Sequence, residues 1–346
     1  MSDEPHIQFI SLHCGLPEGA LREIARDLRP LSWNVKHLGQ QLAKKTIAET
    51  DWTPPEHPFK VPVGSQAATQ ADMQSKWFSY WCNELHLRPI FHRKVWEYSY
   101  IAQGLWERDM LTSGKRGLGF GCGTELFPAY FAAQGVSVLA TDLHPEQVHG
   151  MGWAETNQHT EGLDVLFYPE LLSRSDFDER VALRYVDMNN IPADLHGSFD
   201  FTWSICALEH LGSIDHGLRF IKESVKCLKP GGVAIHTTEF NFAYEDETLE
   251  SPSCVLFRKK DFEKVAAELT AEGHDVEPLN FNVGDGPLDS FIDLPPYRDE
   301  ESPLTAGTGY SPLHMKLTIG GYPSTCFGLI VRAGEQDCPK LHANRF

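Results

Sequence analysis

Between residues 90 and 240, apolar positions follow two alternating rhythms, and this alternation organises the chain. Short apolar runs at Gly117–Phe120, Val136–Ala140, Val181–Val186, Phe199–Ser204 and Val233–Thr238 have the length and side-chain content of buried strands. Between the last two runs lies Ile214–Leu228, where Leu218, Ile221, Val225 and Leu228 recur at helical spacing. Lys229-Pro230-Gly231-Gly232 then ends the helix and turns the chain into the fifth strand. Strand–helix–strand succession predicts an α/β unit with a mostly parallel sheet and helices on both faces.

The flanks are patterned differently. Ile7–Leu12 reads as a strand and Glu18–Leu28 as a helix, while Pro54-Pro55-Glu56-His57-Pro58 cannot be regular structure. Helical patterns follow at Gln70–Leu87 and Ile90–Leu111, crowded with Trp77, Phe78, Tyr80, Trp81, Trp96, Tyr98, Tyr100 and Trp106. Packing of these helices on the sheet accounts for most of the aromatics. Trp96 and Tyr100, four apart on one face, are the two that could also reach a ligand. Beyond the fifth strand, the chain reads as a helix at Lys260–Glu272 closed by Gly273, then strands at His274–Phe281 and Thr325–Arg332. About forty residues rich in Pro, Gly, Asp and Tyr separate these strands, a length that usually marks a functional or a disordered loop. The expected organisation is an extension over 1–88, a catalytic unit over 89–335 with a lid at 283–323, and a tail over 336–346.

The chemistry begins where the first strand ends. Gly117-Leu118-Gly119-Phe120-Gly121-Cys122-Gly123-Thr124-Glu125 turns sharply from strand to helix, and glycines allow a ligand close to the backbone. About twenty residues later Asp142 ends the second strand, where a carboxylate can accept both hydroxyl protons of a ribose. A dinucleotide fingerprint needs a small residue at its sixth position, but the registers from Gly119 and Gly121 place Thr124 and Leu126 there. Glu125 would also repel a pyrophosphate while tolerating a sulfonium. The loop therefore favours S-adenosylmethionine over NAD, and a nicotinamide oxidoreductase is the first rival reading.

Composition narrows the acceptor. With 30 basic and 48 acidic residues the net charge is -18, and no basic stripe interleaved with aromatics stands out. Nucleic acid and anionic membrane are disfavoured as partners, because phosphate neutralisation supplies most of such affinity. A neutral or cationic small molecule or a sugar is expected, and a second copy of the chain is left open as a partner. Eight scattered cysteines without C-x-x-C, no apolar run long enough to span a bilayer and no secretory signal lead to an expectation of cytoplasmic residence.

Across about residues 90 to 240 the motifs resemble, in order, the class I (Rossmann-like) S-adenosylmethionine-dependent methyltransferases. The resemblance rests on the glycine loop, Asp142, Asp187-Met188 after the third strand, Phe199-Asp200 in the fourth, Leu208-Glu209-His210 and the Pro-Gly-Gly turn. It implies a seven-stranded, mostly parallel sheet ending in an antiparallel hairpin. It also implies that Gly119, Gly121, Cys122 and Gly123 cradle the methionine part of the cofactor. Asp142, with Leu143 beside it, would hold the ribose, and Asp187 and Met188 the adenine; Ser204 and Trp96 complete the expected cofactor set. Many members carry Asp or Glu where Gly119 stands, so the carboxylate near the cofactor's amino group must come from Glu125 or another segment. Leu208-Glu209-His210-Leu211-Gly212 is locally similar to a patch of cyclopropane fatty acid synthases, which keeps lipid methylation as a lesser alternative.

Methyl transfer needs alignment of the acceptor and, for a hydroxyl, removal of its proton. His210 is the expected base and Glu209 its partner, with a structural hydrogen bond or a helix cap as their plainer roles. Asp289, Tyr297 and His314 in the lid are the expected acceptor-binding residues. No metal is expected: Asp289, Asp293, Glu239 and Glu209 form no tight cluster in sequence, and His236 and Glu239 face opposite sides of a strand. The reading is methylation of a small molecule or glycan at oxygen, with a noncatalytic cofactor-binding scaffold as the alternative from another class.

Overall fold

A computed structural model describes residues 17–144, 162–295, 297 and 313–335. The expected strand Ile7–Leu12, the tail 336–346 and the lid residues 298–312 lie outside them. The strands are β1 (Ser65–Ala67), β2 (Phe91–His92), β3 (Arg116–Phe120), β4 (Ser137–Asp142), β5 (Val181–Tyr185), β6 (Phe199–Ile205), β7 (Leu228–Asn241), β8 (Glu250–Ser251), β9 (Cys254–Val255), β10 (Asp275–Val276), β11 (Leu279–Asn280), β12 (Leu313–His314), β13 (Leu317–Ile319) and β14 (Tyr322–Arg332). The helices are α1 (Glu18–Glu49), α2 (Gln70–Met73), α3 (Lys76–Glu84), α4 (Arg93–Glu107), α5 (Phe127–Ala133), α6 (Arg174–Arg180), α7 (Ile214–Lys226) and α8 (Lys259–Ala271).

The main sheet runs in the order β11-β1-β14-β7-β6-β3-β4-β5. Strands β5, β4, β3, β6 and β7 are parallel, and β14 closes antiparallel on β7 from Val233↔Arg332 to Asn241↔Ser324. The chain moves outward from β3 through β4 to β5 and then crosses back to β6. The strand order therefore reverses between β3 and β6, and ligands bind beyond the carboxyl ends of strands at such a reversal.

Two departures from the expected sheet have local causes. Residues 274–281 do not form one strand: Pro278 has no N–H to give a ladder, and the segment splits into β10, antiparallel to β14, and β11, parallel to β1. Strand β1 comes from the N-terminal extension and lies antiparallel to β14, so the short pieces β1, β10, β11 and β13 bring the sheet to ten strands instead of seven. The Pro-Gly-Gly turn lies within β7 as a bulge, where the register jumps from Phe199↔Leu228 to Phe201↔Val233 and Gly231 has φ +75.

Each face of the sheet is covered. Helix α7 starts at Ser213, whose side chain accepts from His216 N, and buries Leu218, Ile221 and Val225. These join Leu118, Phe120, Leu329 and Val331 beneath α7 and α8. The opposite face carries α3, α4 and α5 over Phe201, Trp203, Val233, Ile235 and Ile330. Helix α4 anchors the extension: Glu107 accepts from Val61 N at 2.6 Å and Val63 N at 3.0 Å, and Tyr100 Oη donates to the Gly64 carbonyl at 2.7 Å.

Candidate methyl-transfer site

The first strand explains the missing carboxylate. Gly117 and Gly119 alternate with Leu118 and Phe120, so one face of β3 has no side chains, and the rings of Phe201 and Trp203 from β6 lie across it. A Cβ on Gly119 would sit 2.4 Å from both Trp203 and Cys122 Sγ. The Trp203 indole donates to Glu125 Oε1 at 2.5 Å, and burial raises the Glu125 carboxyl to about 8. Glu125 thus faces the core as a largely protonated group. It does not present an anion to a passing phosphate, which removes one of the two arguments made against a dinucleotide.

The remaining loop residues meet at the strand reversal. Gly121 and Gly123 have φ +61 and +53, and a Cβ on Gly121 would lie 2.9 Å from Ala207 Cβ and 3.4 Å from Met188 Sδ. The ends of β3, β5 and β6 therefore converge on a cradle that only glycine leaves open. Asp142 accepts from Gly123 N at 3.1 Å and Leu143 N at 2.8 Å, so backbone amides orient its carboxylate beside that loop. Asp187 is exposed, accepts from Asn189 N at 2.8 Å, and precedes the buried Met188.

Three other expected cofactor residues are placed differently. Cys122 is buried, with its backbone N–H bonded to the Thr141 carbonyl. Ser204 is buried in a relay in which its hydroxyl meets His236 Nδ1 and Ser224 meets His236 Nε2, each at 2.8 Å. Trp96 is wholly buried, stacked on Tyr100 with centroids 4.6 Å apart, and its indole donates to Asp72 at 2.9 Å. The packing role fits that geometry for both aromatics.

Beyond β6 and β7, His210 and Glu209 join a polar cluster whose other members the sequence motifs did not announce. His210 Nδ1 is 2.7 Å from the Ser253 carbonyl, so it carries the proton and leaves the basic lone pair on Nε2. Burial lowers its pKa to about 4, and Glu209 Oε1 stands 3.8 Å from Nε2. Glu209 is buried, with Oε2 accepting from Thr238 Oγ1 at 2.9 Å; desolvation, with Glu239 nearby, raises its carboxyl to about 8. Arg93 pairs with Glu239 at 2.8 Å, and Lys94 lies 3.3 Å from Glu97. Glu97 Oε2 also accepts from Thr237 Oγ1 and Cys206 Sγ. A carboxylate in the middle of an aromatic helix was the available signal for Glu97.

Residues 118–236 match the family model described as a methyltransferase domain. The matched residues are about a third of the chain and include Gly121, Asp142, Asp187 and His210. No curated protein matches the chain. Solved structures similar to it include a putative sarcosine dimethylglycine methyltransferase from Galdieria sulphuraria, at 19% identity and TM-score 0.43, covering 70% of this chain and 88% of that one. A methyltransferase from Methanosarcina mazei shows 17% identity and TM-score 0.39, with 67% and 98% covered. For a putative methyltransferase from Listeria monocytogenes the values are 14%, 0.36, 68% and 100%. The geometry at the strand reversal would suit S-adenosylmethionine: a Cβ would fill the Gly121 cradle, and the oriented Asp142 carboxylate could accept from ribose hydroxyls.

The described residues of the expected lid are tied into the frame of the fold. Asp289 is buried, pairs with Lys316 and accepts from Gln70 N and Gly286 N. Tyr297 Oη meets the Thr318 carbonyl at 2.5 Å. His314 packs tilted against His92 at 4.9 Å and edge-on to Tyr297 at 5.2 Å, with Asp293 3.7 Å from its Nδ1. Asp289 is thus held by structural partners, while His314, next to Arg93 on β2's edge, is nearer the polar cluster. Among the described residues no helix is long and apolar enough to cross a membrane.

Proposed function

We propose that the protein methylates a hydroxyl of a small molecule or glycan, with neutral His210 as the base. The observation that carries this reading is the fixed imidazole: the Ser253 carbonyl sets its tautomer, and burial keeps it uncharged at neutral pH. When bound, S-adenosylmethionine supplies a methyl group already activated on a sulfonium. Asp142 would hold the ribose, Asp187 and Met188 the adenine, and the backbone of residues 121–123 the methionine part. His210 Nε2 takes the hydroxyl proton, with Glu209 Oε1 3.8 Å from it. The net charge of -18 supports a neutral or cationic acceptor and argues against polyanions.

The test is methyl transfer to a panel of hydroxylated small molecules and sugars, combined with calorimetry of S-adenosylhomocysteine. His210→Ala is expected to lower turnover about 10²- to 10⁴-fold with product affinity unchanged. The acid limb of the wild-type rate should fall at about pH 4, well below the ordinary imidazole range, because the folded pocket resists protonation. If the folded variant loses cofactor binding together with activity, the histidine is structural; if it stays active, the base lies elsewhere.

A further inference from the structure

We infer that Glu97, Cys206 and Cys326 form a binding site for a soft divalent cation, Zn²⁺, within the polar cluster beyond β6 and β7. The three residues are far apart in sequence, yet the fold brings one donor atom of each within 4.8 Å of the others. Cys206 Sγ is 2.9 Å from Glu97 Oε2 and 3.6 Å from Cys326 Sγ. With Zn–S of about 2.3 Å and Zn–O of about 2.0–2.2 Å, a tetrahedral ion needs sulfur–sulfur and sulfur–oxygen edges of about 3.5–3.8 Å. The thiol pair already meets that requirement, and the carboxylate must move back by roughly half an ångström.

Two independent observations point to a missing ligand. Among the described residues Glu97 Oε1 and Glu209 Oε1 are buried without a hydrogen-bond partner, in side chains 0% and 1% exposed, on either side of Cys206. The nearest cation to the first is Lys94 at 3.3 Å, and the second has only His210 Nε2 at 3.8 Å. Cys206 is also one of three non-glycine residues described at positive φ, +43, a conformation that costs energy and aims its thiol into the cluster. Thiols with a carboxylate select Zn²⁺ over the hard cations Mg²⁺ and Ca²⁺.

The charges balance. Arg93 and Lys94 are paired with Glu239 and Glu97, so the apo cluster has no large excess of either sign. Binding replaces two thiol protons by one ion: the S–H bonds break, two Zn–S bonds form, and two protons leave to solvent. The local charge is unchanged, and the flanking cations are no obstacle. Three protein ligands leave a fourth position for water.

The site stands independently of the acceptor, so its test does not use activity. Full-length protein stripped with a chelator is titrated with Co²⁺, and Zn²⁺ is then added in competition. The expected result is one ion per chain, a thiolate-to-cobalt charge-transfer band that Zn²⁺ abolishes, and tetrahedral-intensity visible bands. Cys326→Ser, at an ordinary strand position, should weaken binding at least about tenfold and bleach the band while the fold is retained by circular dichroism. Cys206→Ser should do the same, and Cys254→Ser, outside the cluster, should bind like wild type. A folded wild type that gives no band, or a band that survives in Cys326→Ser and Cys206→Ser, overturns the site.

Discussion

Asp142 carries two neighbours on its carboxylate before any ligand arrives. Gly123 N and Leu143 N hold it, so its orientation is set by the backbone of the loop it serves. Replacing it with Ala removes a charge-assisted contact worth about 1.5–3 kcal/mol. Affinity for S-adenosylhomocysteine should therefore fall about tenfold or more in Asp142→Ala, read by calorimetry on protein of unchanged circular dichroism. Equal affinity would show that the ribose sits elsewhere. Glu125 illustrates the reverse relation between residue and environment. The same carboxyl that sequence places beside a ligand is turned inward by Trp203, and its burial decides its charge.

At the scale of elements, α4 joins the two halves of the molecule. Its last turn offers Glu107 to the amides of Val61 and Val63, and this pins the approach to β1. Glu107→Ala would leave both amides without that acceptor in a half-buried site, costing about 1–3 kcal/mol, and should lower the thermal midpoint. Early proteolysis within residues 50–64 should accompany the loss; an unchanged digestion pattern would show that β1 is held by the sheet alone. The parallel strands were legible because their signals are local. Asp142 follows its apolar run directly, and α7 shows its apolar face in Leu218, Ile221 and Val225. Ser65-Gln66-Ala67 has no such signal: three small or polar residues become a strand only because β14 presents a row of partners. Glu97, Cys206 and Cys326 were invisible as a group for the same reason, since only the sheet brings them together. Trp96 and Ser204 lie at positions that could have reached a ligand, and packing and buried hydrogen bonds hold both side chains.

The whole molecule titrates against itself. His236 is lowered to about 3 and His210 to about 4 by burial, and His92, His314 and His274 are also depressed. As pH falls below about 6.5, the unfolded chain binds protons that the folded chain refuses, so stability is lost by up to about 1.4 kcal/mol per group per pH unit. Glu125 and Glu209, raised to about 8, act with the opposite sign: they retain protons that the unfolded chain releases above the ordinary carboxyl range. Asp72 is raised by desolvation as well, so between about pH 4.5 and 6.5 five histidines oppose three carboxyls, and just above that the carboxyls remain. Chemical unfolding across pH 4.5–8 should show a stability maximum near pH 6.5. A monotonic rise with pH would mean that the carboxyls ionise in the folded state.

The insertion of β1 beside β14 sets an order of events on the ribosome. Residues 65–67 are made about 260 residues before their partner residues Phe327 and Gly328. At about 5–20 residues per second the early segment waits on the order of tens of seconds with its pairing edge unsatisfied. The glycine loop and β3–β7 can collapse meanwhile, so the nascent chain acquires its nucleotide cradle before its sheet is closed. Final closure is then a docking of two segments made far apart in time, which makes it the step most exposed to chaperone capture.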